Sequence, residues 1–239
     1  MITEAVEMNR NPNMNKEQME AEYKRMMGVK KIIWLKKGLV EDDHSFRGPV
    51  TTPNGQKAYT VITTNGHIDE FARFVNDSTI LLAQVDSTLS GDPIAAENFR
   101  RIEENYKILA AATDQDGKPF RIVRMPLNRT VYSTLSPGDW VYDYLKTLNY
   151  QDGSSFPDGD TIKVIAALSY LNFVITNKVI IGQSCWREGM PDELKLQDEK
   201  ALKVLQSVFP GRKVIMIDAL AVNLGGGGLH CISMQQPAL

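Results

Sequence analysis

Cys231 follows the run Gly225-Gly226-Gly227-Gly228 through Leu229 and His230, close to the C-terminal end of the chain. Consecutive glycines are entropically costly to order, so they mark close backbone approach or φ values that other residues avoid. A thiol held in such a place is a candidate nucleophile, provided a base lies elsewhere in the sequence. Asn65-Gly66-His67-Ile68-Asp69 supplies one, with a histidine and a carboxylate two residues apart. In an extended segment His67 and Asp69 point to the same face, because a strand has a period of two. His67 would then give Cys231 thiolate character and later protonate a leaving group. Asp69 suits either of two tasks, orienting the imidazole or gripping a cation through paired charge-assisted hydrogen bonds.

The other thiol and imidazoles read differently. If Leu229 to Ile232 is a strand, His230 and Cys231 face opposite sides, which leaves His67 as the better base. His44 near a turn reads as structural or exposed. Cys185, beside Trp186, lacks a glycine run and an acid–base partner, and reads as packing. The glycine run is no phosphate loop, because no Lys-Ser/Thr follows it. Asp152, Asp158 and Asp160 do not have the spacing of a calcium loop and read as solvated turn residues.

These side chains must be positioned by an α/β framework. The chain has 239 residues, 43% of them hydrophobic, enough for one sizeable core. Its 27 basic and 29 acidic residues nearly balance, which gives no case for nucleic acid or an anionic membrane as partner. No run approaches the ~20 apolar residues of a membrane span. The first residues lack the basic and apolar regions of a signal peptide, and two cysteines make no disulfide framework, so a cytoplasmic location is expected. The acceptor-like triplets at Asn76 and Asn128 then read as chance.

Two stretches share one order of elements. The first runs strand 71–75, turn 76–77, strand 79–84, helix 93–112 and strand 120–125. Ile94, Phe99, Ile102, Tyr106, Leu109 and Ala110 would form the helix's inner face. The second runs strand 164–174, turn 176–177, strand 178–183, helix 192–209 and strand 213–217. Its helix would use Leu194, Ala201, Leu202, Val204, Leu205 and Val208, and would stop at Pro210-Gly211. Both are ββαβ units. Near the N-terminus, a helix over 14–27 with an Asn15 cap and Gln18 three residues on leads into a strand over 29–35. No strand pair precedes it, so the chain reads as starting inside a repeat. The turn-rich segment 134–160 is expected to be a functional or mobile loop, such as a lid.

Asn65-Gly66-His67-Ile68-Asp69 resembles the NGHxD segment of the agmatine deiminase family. Gly226-Gly227-Gly228-Leu229-His230-Cys231-Ile232-Ser233-Met234-Gln235-Gln236-Pro237 resembles its GGGNIHCITQQQP signature. Asn9-Arg10-Asn11-Pro12, Met14 to Gln18, and Ile33-Trp34-Leu35 with Gly38-Leu39 are similar to further family segments in the same order. The resemblance implies a pentein-type α/β-propeller of five ββαβ units, of which about three are present, so residues 1–239 would be one N-terminally truncated domain. It implies hydrolysis of agmatine to N-carbamoylputrescine and ammonia, a step of putrescine biosynthesis, without metal or organic cofactor. Cys231 would attack the guanidinium carbon to give an amidino-thioether, and His67 would protonate ammonia and then activate water. Asp69 would hold guanidinium nitrogens, while Gly226, Gly227 and Gly228 let the backbone close on the substrate.

Two departures qualify this expectation. The family's WxRDxGP and EGGxxH segments do not occur here, and Leu229, Ser233 and Met234 differ from the signature. The isolated chain is therefore expected to be inactive or weakly active, since removing one of two carboxylates that grip a buried cation costs ~3–5 kcal/mol. Three alternatives stay open: a deiminase of arginine or peptidyl-arginine, a non-catalytic remnant binding a partner, and a thiol protease. The segment 130–160 would separate substrates if it formed a lid. Exposed sheet edges of an open propeller would favour a homo-oligomer.

Overall fold

Two ββαβ units with the same pairing dominate the computed structural model, which describes residues 1–89 and 91–236. The N-terminal elements are β1 (Ile2–Thr3), α1 (Glu4–Arg10), α2 (Lys16–Met27) and β2 (Trp34–Leu35), then β3 (Val50–Thr51) and β4 (Lys57–Thr60). The first unit comprises β5 (Ala72–Phe74), β6 (Thr79–Gln84), α3 (Pro93–Ala111) and β7 (Arg121–Pro126). Between the units lie β8 (Tyr132–Leu135), α4 (Trp140–Lys146) and β9 (Ile162–Ile165). The second unit is β10 (Val174–Ile175), β11 (Val179–Ser184), α5 (Asp192–Val208) and β12 (Lys213–Asp218), and α6 (Leu220–Leu224) follows.

In each unit the first two strands pair antiparallel and the third lies parallel to the second. β5 pairs with β6 through Ala72–Leu82, and β6 runs beside β7 from Thr79–Arg121 to Gln84–Pro126. β11 runs beside β12 from Val179–Lys213 to Ser184–Asp218. A third sheet, ordered β3-β4-β9-β8, joins residues 50–60 to 132–165, and β1 pairs parallel with β2. Ile80, Leu81 and Leu82 are fully buried and share one apolar cluster with Phe71, Phe173, Ile180, Ala201 and Leu205, so both units pack on common ground. Fully burying such a side chain contributes ~1.5–3 kcal/mol.

Several expectations change in detail. The expected strand over 29–35 is only Trp34–Leu35, and its parallel partner Ile2–Thr3 is too short to announce itself by alternation. A short helix, Glu4–Arg10, precedes the expected one, whose Asn15–Gln18 capping box forms as read. The stretch 164–174 is two strands joined by a buried turn, Ala166 to Phe173. The segment 134–160 is not a lid. It contains α4, whose Val141, Tyr142 and Leu145 pack with Tyr59, Val61 and Val164 in a second core.

The inner face of α3 departs from its apolar pattern for a physical reason. Phe99, Tyr106 and Ala110 are exposed, whereas Asn98, Arg101 and Asn105 are buried. Arg101 forms a bidentate pair with Asp43 at 2.8 and 2.7 Å and donates to the Gly38 carbonyl. Asn98 accepts from the Val40 amide and donates to Glu41. Asn105 accepts from the Lys36 amide and donates to the Lys37 carbonyl. The segment 36–43, which carries only one 3-10 turn at Val40–Asp42, is thereby fixed through its backbone groups, which burial requires to be paired. Among the described residues no helix is long and apolar enough to cross a membrane.

Candidate active site

Asp42 is the first product of that anchoring. Its carboxylate accepts from the Thr64 amide and hydroxyl at 2.7 and 2.6 Å, the Gly66 amide at 3.0 Å and the His67 amide at 2.8 Å. Asn65, at φ 72°, stands in the left-handed region that Asn tolerates better than most residues. Its side chain donates to the Ala5 carbonyl and accepts from Arg47. The loop 64–67 is thus pinned from two directions, and α1 is pinned to it. His67 begins a single helical turn, Ile68–Glu70, rather than a strand.

The opposing wall is the glycine run. Cys231 is exposed as a residue, but its sulfur turns inward. Sγ lies 3.1 Å from Asn172 Nδ2, 3.6 Å from Asp69 Oδ2 and 3.8 Å from Glu70 Oε1. His230 Nδ1 donates to Asp69 Oδ2 over 2.7 Å. A Cβ on Gly226, at φ +102°, would lie 2.0 Å from the Ile62 carbonyl oxygen, and one on Gly228 would lie 2.3 Å from Asn172 Oδ1. Asn223 donates to the Gly227 carbonyl. Close approach is therefore the reason for these glycines, and the group approached is the protein's own backbone and amide side chains.

Thiol, imidazoles and carboxylate open onto one cavity of about 510 Å³. Thr64, His67, Ile68, Asp69, Gly226, His230 and Cys231 form one side. Ile2, Thr3, Val6, Glu7 and Arg10, from β1 and α1, form the other. Arg10 Nη2 lies 2.7 Å from His67 Nε2. A guanidinium has only donors, so His67 accepts at Nε2 and carries its ring proton on Nδ1. Among the described residues, no group of three or more His, Cys, Asp or Glu side chains is placed to hold a metal ion.

Burial and like charge set the electrostatics. The Cys231 thiol is pushed up to about 12 by burial and then by the charges of Asp69 and Glu70, against the Gly228 amide and Asn172. Burial, the largest single influence, raises Asp69, but the His230 hydrogen bond together with the charges of His230, His67 and Arg73 outweighs it, and the carboxyl sits below its ordinary value. Glu70 is held well above the carboxylate range by burial and by Asp42 and Asp69. Burial lowers Arg73, against the charges of Asp69, Cys231 and Glu70. The cavity thus holds a reluctant thiol beside a retained carboxylate, an arrangement that a bound cation would relieve.

Comparison with known proteins decides the family. The family model for Porphyromonas-type peptidyl-arginine deiminase matches residues 1–237. The chain belongs to that family. An agmatine deiminase of Medicago truncatula is 31% identical over 236 residues, which are 97% of this chain and 51% of that protein. One from Pseudomonas fluorescens (strain SBW25) is 32% identical over 230 residues, 96% and 50% of the two lengths. The solved agmatine deiminase of Enterococcus faecalis superposes with a TM-score of 0.66 at 24% identity, over 98% of this chain and 53% of that one. The chain therefore spans about half the length of the curated relatives it matches, and its mixed α/β fold of several small sheets is similar to theirs.

Within this deiminase-family chain, Cys231, His67 and Asp69 line one cavity, although His67 and Asp69 reach it from a helical turn and not from the expected extended segment. Three readings are corrected. His230 does not face away from Cys231, because residues 229–232 form a turn and both side chains line the cavity. Gly227 and Gly228 do not line it; only Gly226 of the three does. Segment 130–160 contributes nothing to the lining. Cys185, read as packing, is buried, and burial drives its thiol strongly upward. His44 stacks on Phe46 and bonds Asn9. Sequence reasoning missed Asn172, Glu70, Asp42, Arg73 and Arg10. Glu70 directly follows the motif aspartate, and Arg10 lies in the Asn9–Pro12 match; the other three carry no local signal.

Proposed function

We propose that this chain carries the nucleophilic half of an agmatine deiminase site, set in a five-unit pentein propeller to which its ββαβ units belong. The observation that carries the reading is the convergence of Cys231, Asp69, His67 and His230 on one cavity that already admits a guanidinium, that of Arg10. Agmatine's guanidinium takes the place beside Asp69. Its positive charge there removes the main electrostatic obstacle to ionising Cys231. As the substrate displaces Arg10, the Sγ proton passes to His67 Nε2; Sγ bonds to the guanidinium carbon, the C–N bond to one terminal nitrogen breaks, and ammonia leaves with that proton from His67. Water, deprotonated by His67, then attacks the amidino-thioether carbon. The C–S bond breaks, the thiolate is regenerated, and N-carbamoylputrescine departs.

His67 is assigned the proton transfers because its side-chain partner, Arg10, is displaceable by substrate. His230 is assigned to Asp69, to which its Nδ1–H is committed. Gly226 shapes the wall against which the substrate lies. Glu7 is the carboxylate on the α1 side of the cavity and suits the far-end ammonium of agmatine. A second reading rests on Arg10, whose guanidinium in the same cavity would pair with the carboxylate of free arginine. Neither nucleic acid nor membrane enters either reading, and a cytoplasmic setting suits a small soluble substrate.

The deciding experiment incubates the chain with agmatine and, separately, arginine, then assays ureido product, ammonia and the mass of the Cys231 peptide. The expected result is slow product formation or a Cys231 adduct with agmatine in preference to arginine, both absent in Cys231→Ala. Neither adduct nor product with either compound, in folded protein, would sink the reading. Preference for arginine would replace agmatine with the second reading.

A further inference from the structure

Asn172 is wholly buried in the turn between β9 and β10, and its amide is the most connected group of the site. Nδ2 lies 2.7 Å from Glu70 Oε1, 3.0 Å from Asp69 Oδ2 and 3.1 Å from Cys231 Sγ. Oδ1 accepts from the His230 amide at 2.8 Å and the Cys231 amide at 3.4 Å. The amide thus ties the glycine-rich turn to the Ile68–Glu70 turn, with the sulfur between them.

Nδ2 has two hydrogens and three acceptors. With a neutral thiol, the two carboxyl groups take both hydrogens, and the S–H is left to point at a carboxyl oxygen. A thiolate is a far better acceptor than a thiol, and a hydrogen bond to a charged partner is about twice as strong as a neutral one. Ionisation of Cys231 therefore draws one Nδ2 hydrogen to sulfur. Glu70 gives it up at least cost, because burial raises its carboxyl and disfavours its charged form, the one that would hold the hydrogen most strongly.

The turn bearing Asn172 is itself clamped. Arg73 Nη1, reaching across from β5, donates to the Leu171 carbonyl at 3.2 Å and the Phe173 carbonyl at 3.0 Å, one on each side of Asn172. Its guanidinium carbon stands 4.7 Å from the centroid of the Phe173 ring. Ser169 Oγ donates to the Glu70 carbonyl and accepts from the Leu171 amide, closing the other side.

We propose that Asn172 is a catalytic residue whose side-chain amide stabilises the Cys231 thiolate, and that Arg73 is the positioning residue that holds it against the sulfur. The proposal rests on Cys231 being the nucleophile, but its test reads sulfur chemistry and needs no turnover. The charged and titratable groups around the thiol are Asp69, Glu70, His67, His230 and Arg73, with Glu7 and Arg10 on the other side of the cavity. All but Arg73 stay the same across the variants.

The experiment measures iodoacetamide alkylation of Cys231 in the whole chain from pH 7 to 11, by peptide mass spectrometry. Buried Cys185 serves as the internal sign of an intact fold. Asn172→Asp keeps the shape and the acceptor but removes the donor and adds an acid. It is expected to slow alkylation at pH 9 at least ~10-fold, the scale of one charge-assisted hydrogen bond, and to displace the whole rising profile to higher pH. Arg73→Gln is expected to displace the profile the same way, and Arg73→Lys to restore most of the difference. A folded Asn172→Asp variant whose profile superimposes on that of the parent overturns the proposal. Should that variant not fold, an Arg73→Gln profile identical to the parent overturns it equally. Loss of turnover with unchanged alkylation would count against Asn172 while leaving the deiminase reading intact.

Discussion

His230 Nδ1 and Asp69 Oδ2 are 2.7 Å apart, although 161 positions separate the two residues in the chain. This bond fixes the carboxylate that also approaches Cys231 Sγ, at 3.6 Å. Asp69→Asn removes a charge that raises the thiol. Its Cys231 should therefore react faster with iodoacetamide at pH 8 than the parent's, by about threefold or more. The same variant should lose the ability of agmatine to protect Cys231, because the cation has lost its partner. Faster alkylation with protection retained would show that agmatine is gripped elsewhere.

The Cys231 value of about 12 predicts a specific pH profile in the free protein. Alkylation should be slow near pH 8 and rise about tenfold per pH unit up to pH 11, since the thiolate fraction sets the rate. A plateau reached below pH 9 would contradict the placement of Asp69 and Glu70 beside the sulfur.

Glu70 gives a prediction about stability. Its carboxyl is raised in the folded protein, mainly by burial. Below the unfolded value of about 4.3 both states hold the proton, and this group favours neither. Above it the unfolded chain releases the proton while the folded one keeps it, so stability falls as pH rises towards the folded value. Glu70→Gln retains an acceptor for Asn172 and removes this loss. The variant's advantage in thermal midpoint should therefore be larger at pH 8 than at pH 4.5. An advantage independent of pH would rule out protonated Glu70 in the native state.

Asp42 carries the loop that presents His67, through the four hydrogen bonds described above. Asp42→Asn turns one acceptor oxygen into a donor facing backbone amides. Unsatisfied buried groups cost about 1–3 kcal/mol each, so chemical denaturation should show a loss on the order of 2 kcal/mol. Alkylation of Cys231 should change little, because the glycine-rich turn is held by Asn172 and Asn223 instead. A collapse of both properties together would mean that the two walls of the cavity are not independently anchored.

The repeated units were legible because their strands and helices carry apolar periodicity and are punctuated by Asn76-Asp77, Thr176-Asn177 and Pro210-Gly211. The helix α4 was hidden by its brevity among turn residues, and Ile2–Thr3 by having only two residues. The face of α3 was misread because Asn98, Arg101 and Asn105 are polar, and their burial depends on partners at 36–43 that no local pattern reveals. Cys231, His67 and Asp69 stood out because glycine runs and two-residue spacing are local signals. Asn172 and Arg73 could not stand out, since each matters only through contacts with residues about 60 to 100 positions away. His230 was misassigned by assuming a strand where the four-glycine run leads into a turn.

The two histidines can be told apart by their partners. His67 accepts from Arg10 at Nε2, a contact substrate can replace, whereas His230 is committed to Asp69. Loss of a general acid–base group slows turnover by about 10²–10⁴-fold. His67→Gln in the catalytically competent protein should therefore lower kcat by at least ~100-fold and leave agmatine protection of Cys231 intact. His230→Gln should instead weaken agmatine protection and raise KM, because Asp69 is no longer oriented, with a smaller fall in kcat. The comparison needs agmatine kinetics and Cys231 protection measured on both variants. The opposite pattern, with kcat lost in His230→Gln and binding lost in His67→Gln, would exchange the two roles while leaving Cys231 and Asp69 as assigned.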